Sequence, residues 1–329
     1  MRTLVAEFKP SSIGSVQFLP VSLFASVMGF SGLSLAWREA SMLFGISHVV
    51  ADISGILAIG LFIAMTVGYL SKWTIYPQKV KDEFAHPVTG NFFGTITIAI
   101  LLLSSVVGVY NRIAGQSIWV LGAATTLGLS YVFVARLFKG NRDPAHAVPA
   151  MLIPVVGTLD IAVAGGTMPF PWAHEINLLS LAIGGIVALI FFTLILSRLI
   201  HYAPIPAGIT PSLMILVAPF EVGFLGYTNF EQRIDSVASV LFYFGLFLFV
   251  VLFFKVFKKS VPFGASWWGI SFPMAALAIA ALKYALYLRT WPLITIAAVV
   301  LAVLSFVLIV LLFRTLKMLL AGRLLDGKS

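Results

Sequence analysis

The stretch GASWWGISFPMAALA, residues 264–278, lies inside a long apolar run and contains the pair Phe272-Pro273. A proline removes one helical hydrogen bond and disfavours the helical conformation of the residue before it. A membrane helix tolerates such a point where the freed backbone is buried in protein or lines a wet cavity. The stretch therefore predicts a bent transmembrane helix that faces the interior of a helical membrane protein.

The composition of the whole chain is that of a polytopic membrane protein. Of its 329 residues, 60% are hydrophobic and 10% are charged, and the mean hydropathy is +1.05. Soluble globular proteins are about half apolar and about a quarter charged. The chain has no cysteine, which excludes disulfides and cysteine metal sites. No removable signal peptide is predicted, so the first span is expected to act as the insertion signal.

Ten segments are apolar enough and long enough to cross a bilayer, which takes about 20 residues. The short connections predict that consecutive spans form antiparallel hairpins within a single transmembrane domain, residues 1–329. The predicted spans are 17–37, 47–71, 87–109, 117–138, 147–168, 175–200, 210–228, 235–257, 264–288 and 291–315.

The distribution of basic residues predicts the orientation. Loops after the even-numbered spans, together with the two terminal segments, carry most of the 21 lysine and arginine residues. Since basic residues are enriched in cytoplasmic loops, both termini are predicted to be cytoplasmic. The net charge of +9 is therefore interpreted as a topology signal, and no nucleic-acid partner is predicted.

Prolines separate the odd-numbered spans from the even-numbered ones. Even spans have no proline in their interior, whereas every odd span has at least one within it or at its start. Bent helices with freed carbonyls belong in the protein interior, so the odd spans are predicted to form an inner ring and the even spans a lipid-facing layer. The prolines concerned are Pro20, Pro87, Pro149, Pro154, Pro211, Pro219 and Pro273.

Few ionisable residues lie deep in the spans, and three of these are Asp160, Glu221 and Lys283. Intramembrane charges are costly and mark functional sites by default. Three interpretations of Glu221 stay open: an ion pair with Lys283, a carboxyl group kept neutral by burial, or a proton site that couples anion movement to pH. Asp52, near the end of span two, is predicted to form bonds at the membrane interface.

Several short motifs occur in a fixed order along the chain. GLSLAW (32–37) ends the first span, His86-Pro87 opens the third, Val148-Pro149-Ala150 opens the fifth, Ala218-Pro219 lies in the seventh, Ser271-Phe272 lies in the ninth, and RTLKMLLAGRLL (314–325) forms the tail. By these motifs the chain resembles the family of the bacterial tellurite-resistance protein TehA, plant guard-cell slow anion channels, and fungal malate and sulfite transporters.

The resemblance implies five helical hairpins with pseudo-five-fold symmetry around a central pore formed by the odd-numbered helices. It implies a phenylalanine plug at Phe272, a homotrimer with one pore in each protomer, and no cofactor. The chain departs from the family pattern at Ala25 and Pro273, where glycines are usual, and at Pro154, Asp160 and Glu221. The expected pore-lining or kinked positions are Pro20, Phe24, Ala25, Pro149, Pro154, Gly157, Pro219, Phe220 and Pro273.

A conduit for anions needs weak binding at several sites, because strong fixed cations would hold the ion too tightly. Small residues in the odd spans would leave room for the ion, and a ring at Phe272 would close the pore by steric block and dewetting. The small residues expected to line it are Ser22, Ala25, Ser26, Thr95, Thr97, Gly157, Thr158 and Gly223.

These features predict a passive channel for small anions in the bacterial inner membrane. The alternative is a proton-coupled carrier of C4-dicarboxylate, sulfite or tellurite-type oxyanions. An enzyme is not expected, because no hydrolase, nucleotide-binding or metalloprotease motif occurs, and the histidines lack metal-ligand spacing.

Overall fold

The computed structural model describes residues 16–140 and 143–325, and every regular element in those ranges is helical. The basic residues Arg2, Lys9, Arg142 and Lys328, which contributed to the orientation prediction, lie outside the described ranges. The α-helices are α1 (Ala25–Phe44), α2 (Val49–Ile75), α3 (Pro77–Ala85), α4 (Gly94–Gly108), α5 (Arg112–Leu137), α6 (Ile153–Gly165), α7 (Ala173–His201), α8 (Ala218–Glu231), α9 (Ser236–Val256), α10 (Ser271–Leu288) and α11 (Trp291–Leu320).

Five of these helices continue directly from a 3-10 helix, so that each of these spans begins tightly wound and then relaxes into an α-helix. The tighter winding suits the start of a helix, where the backbone lacks its full set of i to i−4 bonds. The 3-10 helices are Val21–Phe24 before α1, Thr89–Phe93 before α4, Pro149–Leu152 before α6, Ala207–Val217 before α8 and Ala265–Ile270 before α10.

The prolines of these spans lie near the junctions between the two kinds of helix. Pro154 and Pro219 lie in the first turns of α6 and α8, and Pro273 is the third residue of α10. First-turn N–H groups have no intrahelical acceptor, so a proline there costs little. The expected mid-helix kink at Pro273 is corrected accordingly: the irregular part of this span is the 3-10 helix before it.

The five helices with 3-10 entries form a closed ring. In chain order α1 contacts α4, α4 contacts α6, α6 contacts α8 and α8 contacts α10, and α10 packs against α1. Each ring helix also contacts the long helix that follows it, and these outer partners are α2, α5, α7, α9 and α11. The ring helices are mostly buried, whereas the outer helices expose much of their apolar surface.

Eight helices within the described ranges are long and apolar enough to cross a membrane, which is the architecture of a helical, multi-pass membrane protein. Two of the ten predicted spans fall outside that count. Span 17–37 corresponds to α1 and its 3-10 entry, where four serines and the pair Arg38-Glu39 lower the hydropathy of α1. Span 147–168 corresponds to Pro149–Gly165, a shorter apolar helix.

The ring closes where α1 and α10 approach each other at small residues. A Cβ added at Gly29 would lie 2.7 Å from Ser271 Cβ, and one added at Gly32 would lie 2.5 Å from Ala275 Cβ. The hydroxyl of Ser271 lies 3.0 Å from the carbonyl oxygen of Ala25. Small residues permit such backbone approach within membranes, so they fix the distance at which the last inner helix meets the first.

We expect Gly32→Ala to destabilise the protein by about 1–3 kcal/mol, the usual cost of overpacking a well-packed contact. Gly60→Ala on α2 is the matched control, because nothing lies within 4 Å of a Cβ added there. Thermal unfolding in detergent measures both variants. Equal stability of the two variants would contradict the tight α1–α10 contact.

Candidate functional site

Three cavities lie between the ring helices, and each is lined by residues from all five spans. The largest, here called the wide cavity, has a volume of about 650 Å³ and lies at the 3-10 ends of the spans. Residues that line it, one from each span or its immediate lead-in, are Pro20, Thr89, Ala150, Ile209 and Ser266.

The second space, the narrow cavity, has a volume of about 20 Å³. A space of that size holds about one water molecule, so it has no room for a hydrated anion. Its walls are almost wholly apolar, and the hydroxyl of its Thr95 donates to the carbonyl oxygen of Phe92. Residues that line it, one from each span, are Ala25, Ile98, Val156, Ala218 and Phe272.

The third space, the polar cavity, has a volume of about 170 Å³ and collects ionisable side chains from three helices. Glu39 comes from α1, Asp160 from α6 and Lys283 from α10, and Asn229 of α8 accepts a hydrogen bond from the Lys283 ammonium group. Asp160 is 2% exposed, and its Oδ2 has no hydrogen-bond partner among the described residues. The polar cavity thus holds one cation, two carboxyl groups and an amide at its walls.

Phe272 lines both the narrow cavity and the polar cavity. It is the second residue of α10, directly after Ser271, whose hydroxyl lies within hydrogen-bond distance of α1. The side chain of Phe272 is 6% exposed, and it stands at the boundary between these two spaces. The structure therefore places an aromatic ring between the narrow cavity and the polar cavity.

On α6, α8 and α10 the lining residues follow one stripe, with Pro273 beside Phe272 as an additional lining residue of the narrow cavity. Successive members of each stripe are three or four positions apart, which is the spacing that keeps side chains on one face of a helix. The stripes are Ile153, Val156, Asp160 and Val163 on α6, Ala218, Val222, Leu225 and Asn229 on α8, and Phe272, Ala276, Ile279 and Lys283 on α10.

Two aromatic residues expected to line a pore face the outer helices instead. Phe24 packs edge-on against Phe62 and Tyr69 of α2 at 6.1 Å between ring centroids. Phe220 packs edge-on against rings of α7 and α9. Phe24 directly precedes the lining residue Ala25, and Phe220 lies two positions from the lining residues Ala218 and Val222. Since each position turns a side chain by about 100° around the helix, both rings point away from the cavities. Both assignments are corrected.

The remaining positions expected at the pore also divide into those that line a cavity and those that pack between helices. Gly157 faces Ile98 of α4 and Thr126 of α5, and it packs helices together without lining a cavity. Pro20 and Ser22 line the wide cavity, and Pro273, Ala25 and Thr95 line the narrow cavity. The positions expected at the pore that line none of the three cavities are Pro149, Pro154, Pro219, Ser26, Thr97, Thr158 and Gly223.

Glu221 lies outside all three cavities. It is 0% exposed, and its side chain fills the space beside Gly245 of α9. Within the part of the chain that the structure describes, its two carboxyl oxygens have no hydrogen-bond partner. The alternative of an ion pair between Glu221 and Lys283 is wrong, because the ammonium group of Lys283 donates to the side-chain oxygen of Asn229 instead.

A buried ionic cluster holds the start of the first inner span. Glu83 of α3 accepts hydrogen bonds from the Val21 N–H at 2.9 Å, from the Tyr69 hydroxyl at 2.9 Å and from the Lys72 ammonium at 2.5 Å. Lys72 also donates to the carbonyl oxygen of Leu19. The sequence analysis did not predict this cluster, because it counted Lys72 among the basic residues of a loop. In the structure, Lys72 is only 4% exposed.

At the opposite end of the ring, Asp52 accepts hydrogen bonds from two side chains. Arg38 donates to it at 2.7 Å, and the hydroxyl of Tyr110 donates to the same carboxylate oxygen. The hydrogen bond to Asp52 raises the pKa of Tyr110, which lies in the loop between α4 and α5. This group ties α1, α2 and that loop together outside the cavities.

Sequence comparison adds a family assignment to this geometry. Residues 19–316 match the family described as "SLAC1: Voltage-dependent anion channel". The chain is 25% identical over 276 residues to the S-type anion channel SLAH2 of Arabidopsis thaliana, covering 80% of this chain and 52% of the plant protein. The chain therefore spans about half the length of that relative.

Two microbial relatives match over most of their length. The tellurite resistance protein TehA homolog of Haemophilus influenzae is 25% identical over 276 residues, covering 81% of each chain. An uncharacterized transporter of Methanocaldococcus jannaschii is 27% identical over 277 residues, covering 77% of this chain and 81% of the relative. By name, the first of these two relatives is a tellurite resistance protein and the second is a transporter.

Proposed function

The chain belongs to the SLAC1 voltage-dependent anion channel family, and on that premise we propose that it is a passive channel for small anions. The anion would pass between the wide cavity and the polar cavity, with the narrow cavity as the closed constriction. No enzymatic activity, cofactor or metal is part of this proposal, in which the protein's partners are small anions and the lipid bilayer.

The proposed architecture has ten transmembrane helices arranged as five hairpins with pseudo-five-fold symmetry. It is supported by the closed order of contacts from α1 through α10 and by the pairing of each ring helix with the helix that follows it. The basic loops favour cytoplasmic termini in a bacterial inner membrane. The homotrimer is proposed from the family resemblance alone.

The position of Phe272 carries the gating proposal. Its ring lines the narrow and the polar cavities at once, so a change of rotamer would alter both spaces. An apolar constriction gates an ion pathway by excluding water as well as by blocking it sterically. With the narrow cavity as the proposed constriction, an anion would have to give up its hydration shell in a space for about one water molecule.

The direction of the inner spans supports a preference for anions. Each of the five 3-10 helices that begin the inner spans contributes residues to the lining of the wide cavity. The positive ends of five helix dipoles therefore face that space. Such ends attract anions weakly, by about 0.3–1 kcal/mol each where water has access. Weak attraction from several helix ends suits conduction, because the ion must leave as readily as it enters.

Replacing the ring should open the constriction. We expect Phe272→Ala to raise anion conductance about tenfold or more, since removal of about 1.4 kcal/mol from a barrier gives a tenfold rate. Reconstituted protein in planar bilayers with chloride as the permeant anion provides the measurement.

Phe220→Ala is the matched control for Phe272→Ala, because the Phe220 ring faces α7 and α9. We expect it to leave the conductance close to that of the wild type. Unchanged currents in Phe272→Ala, at equal protein incorporation, would remove the gate assignment.

A second candidate function, a proton-coupled carrier, is favoured by one observation. Asp160 lies in the polar cavity with an unpartnered carboxyl oxygen, and Glu39 lines the same space beside Lys283. A carboxyl group on the anion path repels an anion when ionised and does not when protonated. This observation moves the candidate proton site from Glu221 to Asp160.

Reversal potentials separate the two functions. For the proposed channel we expect the reversal potential to follow the anion gradient alone, with no shift under a transmembrane pH gradient. Asp160→Asn and the buried control Glu221→Gln should then behave like the wild type in this measurement. A wild-type shift with pH that Asp160→Asn abolishes and Glu221→Gln preserves would establish the carrier and contradict the channel.

A further inference from the structure

The chain turns back sharply after the last helix. Gly322 has a φ of +69°, a conformation that glycine adopts without strain. Its N–H donates to the Leu319 carbonyl, and the N–H of Arg323 donates to the Met318 carbonyl, both at 3.0 Å. This pair of bonds is a Schellman motif, which ends a helix and reverses the chain direction.

The residues after the turn pack against the protein. Leu324 is 4% exposed and belongs to the same apolar core as the inner helices. Burial of this side chain holds the turn in place, so that Arg323 and Met318 line the wide cavity. A terminal segment that would otherwise extend into solvent thereby becomes part of the wall of the proposed entrance.

The charges at this entrance do not cancel. Among the described residues that line the wide cavity, Glu83 and Arg323 are the ionisable ones. The carboxylate of Glu83 already binds the ammonium group of Lys72 at 2.5 Å. No carboxylate within residues 16–140 and 143–325 pairs with Arg323, whose side chain is exposed. Among the described residues that line the wide cavity, Arg323 is therefore the one cation, and no described carboxylate pairs with it.

We propose that Arg323 is a docking site for a small inorganic anion at the mouth of the wide cavity, an inference that rests on the proposed channel function. A guanidinium group is permanently charged and donates several N–H bonds to one acceptor. Because the side chain is exposed, water screens the attraction, and the bound anion is released readily into the cavity. The five helix starts that face the same space would then receive the anion from Arg323.

The test uses the full-length Phe272→Ala protein as the parent, because its open pore makes entry of the anion measurable. We expect Arg323→Gln in that parent to lower the chloride current about fivefold when about 10 mM NaCl faces the wide cavity, since charges then act over about 30 Å. The loss should vanish at about 1 M NaCl, where the screening length is about 3 Å. Chloride that enters from the polar-cavity side should be unaffected.

Two control variants make the result specific. Lys317→Gln removes an exposed charge from the same helix end outside the wide cavity and should leave the current unchanged, whereas Arg323→Lys should restore most of the current lost in Arg323→Gln. An unchanged current in Arg323→Gln, an equal loss in Lys317→Gln, or a loss that persists at high salt would overturn the docking site. Absence of anion current in the Phe272→Ala parent would instead overturn the channel function and, with it, this inference.

Discussion

The contact between α1 and α10 is the constraint on which the rest of the structure depends. These helices are distant in sequence, and their approach at Gly32 and Ala275 closes a ring whose other contacts join consecutive inner spans. Because Ser271 reaches the Ala25 carbonyl, closure also sets the rotation of the turn that carries Phe272. Ring closure and the placement of the Phe272 ring between the narrow and polar cavities therefore follow from one packing contact between small residues.

The direction in which the inner spans enter the ring aligns their helix dipoles. All five spans enter the ring from the same end through a 3-10 helix, and the Glu83–Lys72 cluster fixes the first of them by binding the Val21 N–H and the Leu19 carbonyl. In the proposed channel, the aligned dipoles and the exposed Arg323 would attract anions into the wide cavity, whereas the apolar narrow cavity would prevent their passage. Attraction at the mouth and exclusion at the narrow cavity would then be separate functions of different residues.

Much of this arrangement was predictable from the sequence. Hydropathy and proline placement identified the inner spans, because bilayer thickness and backbone hydrogen bonding restrict both. The position of Phe272 came from family resemblance. The sequence did not predict which individual side chains face the cavities. Phe24 and Phe220 are as apolar as Phe272, and a shift of one position turns a side chain by about 100°, which is enough to move it from the lining of a cavity to a contact with an outer helix. Glu39 was missed because α1 extends to Phe44, beyond the predicted end of the first span.

The absence of cysteine from the chain permits the most direct test of the central claim, that one stripe of each inner helix lines a common pathway. Single cysteines introduced along residues 153–163 in an open-pore background would be treated with an anionic thiol reagent while current is recorded. The account predicts loss of current at Val156, Asp160 and Val163, and none at Gly157 or Ile161. Modification that follows no helical period, or that reaches Gly157 in preference to Val156, would contradict it.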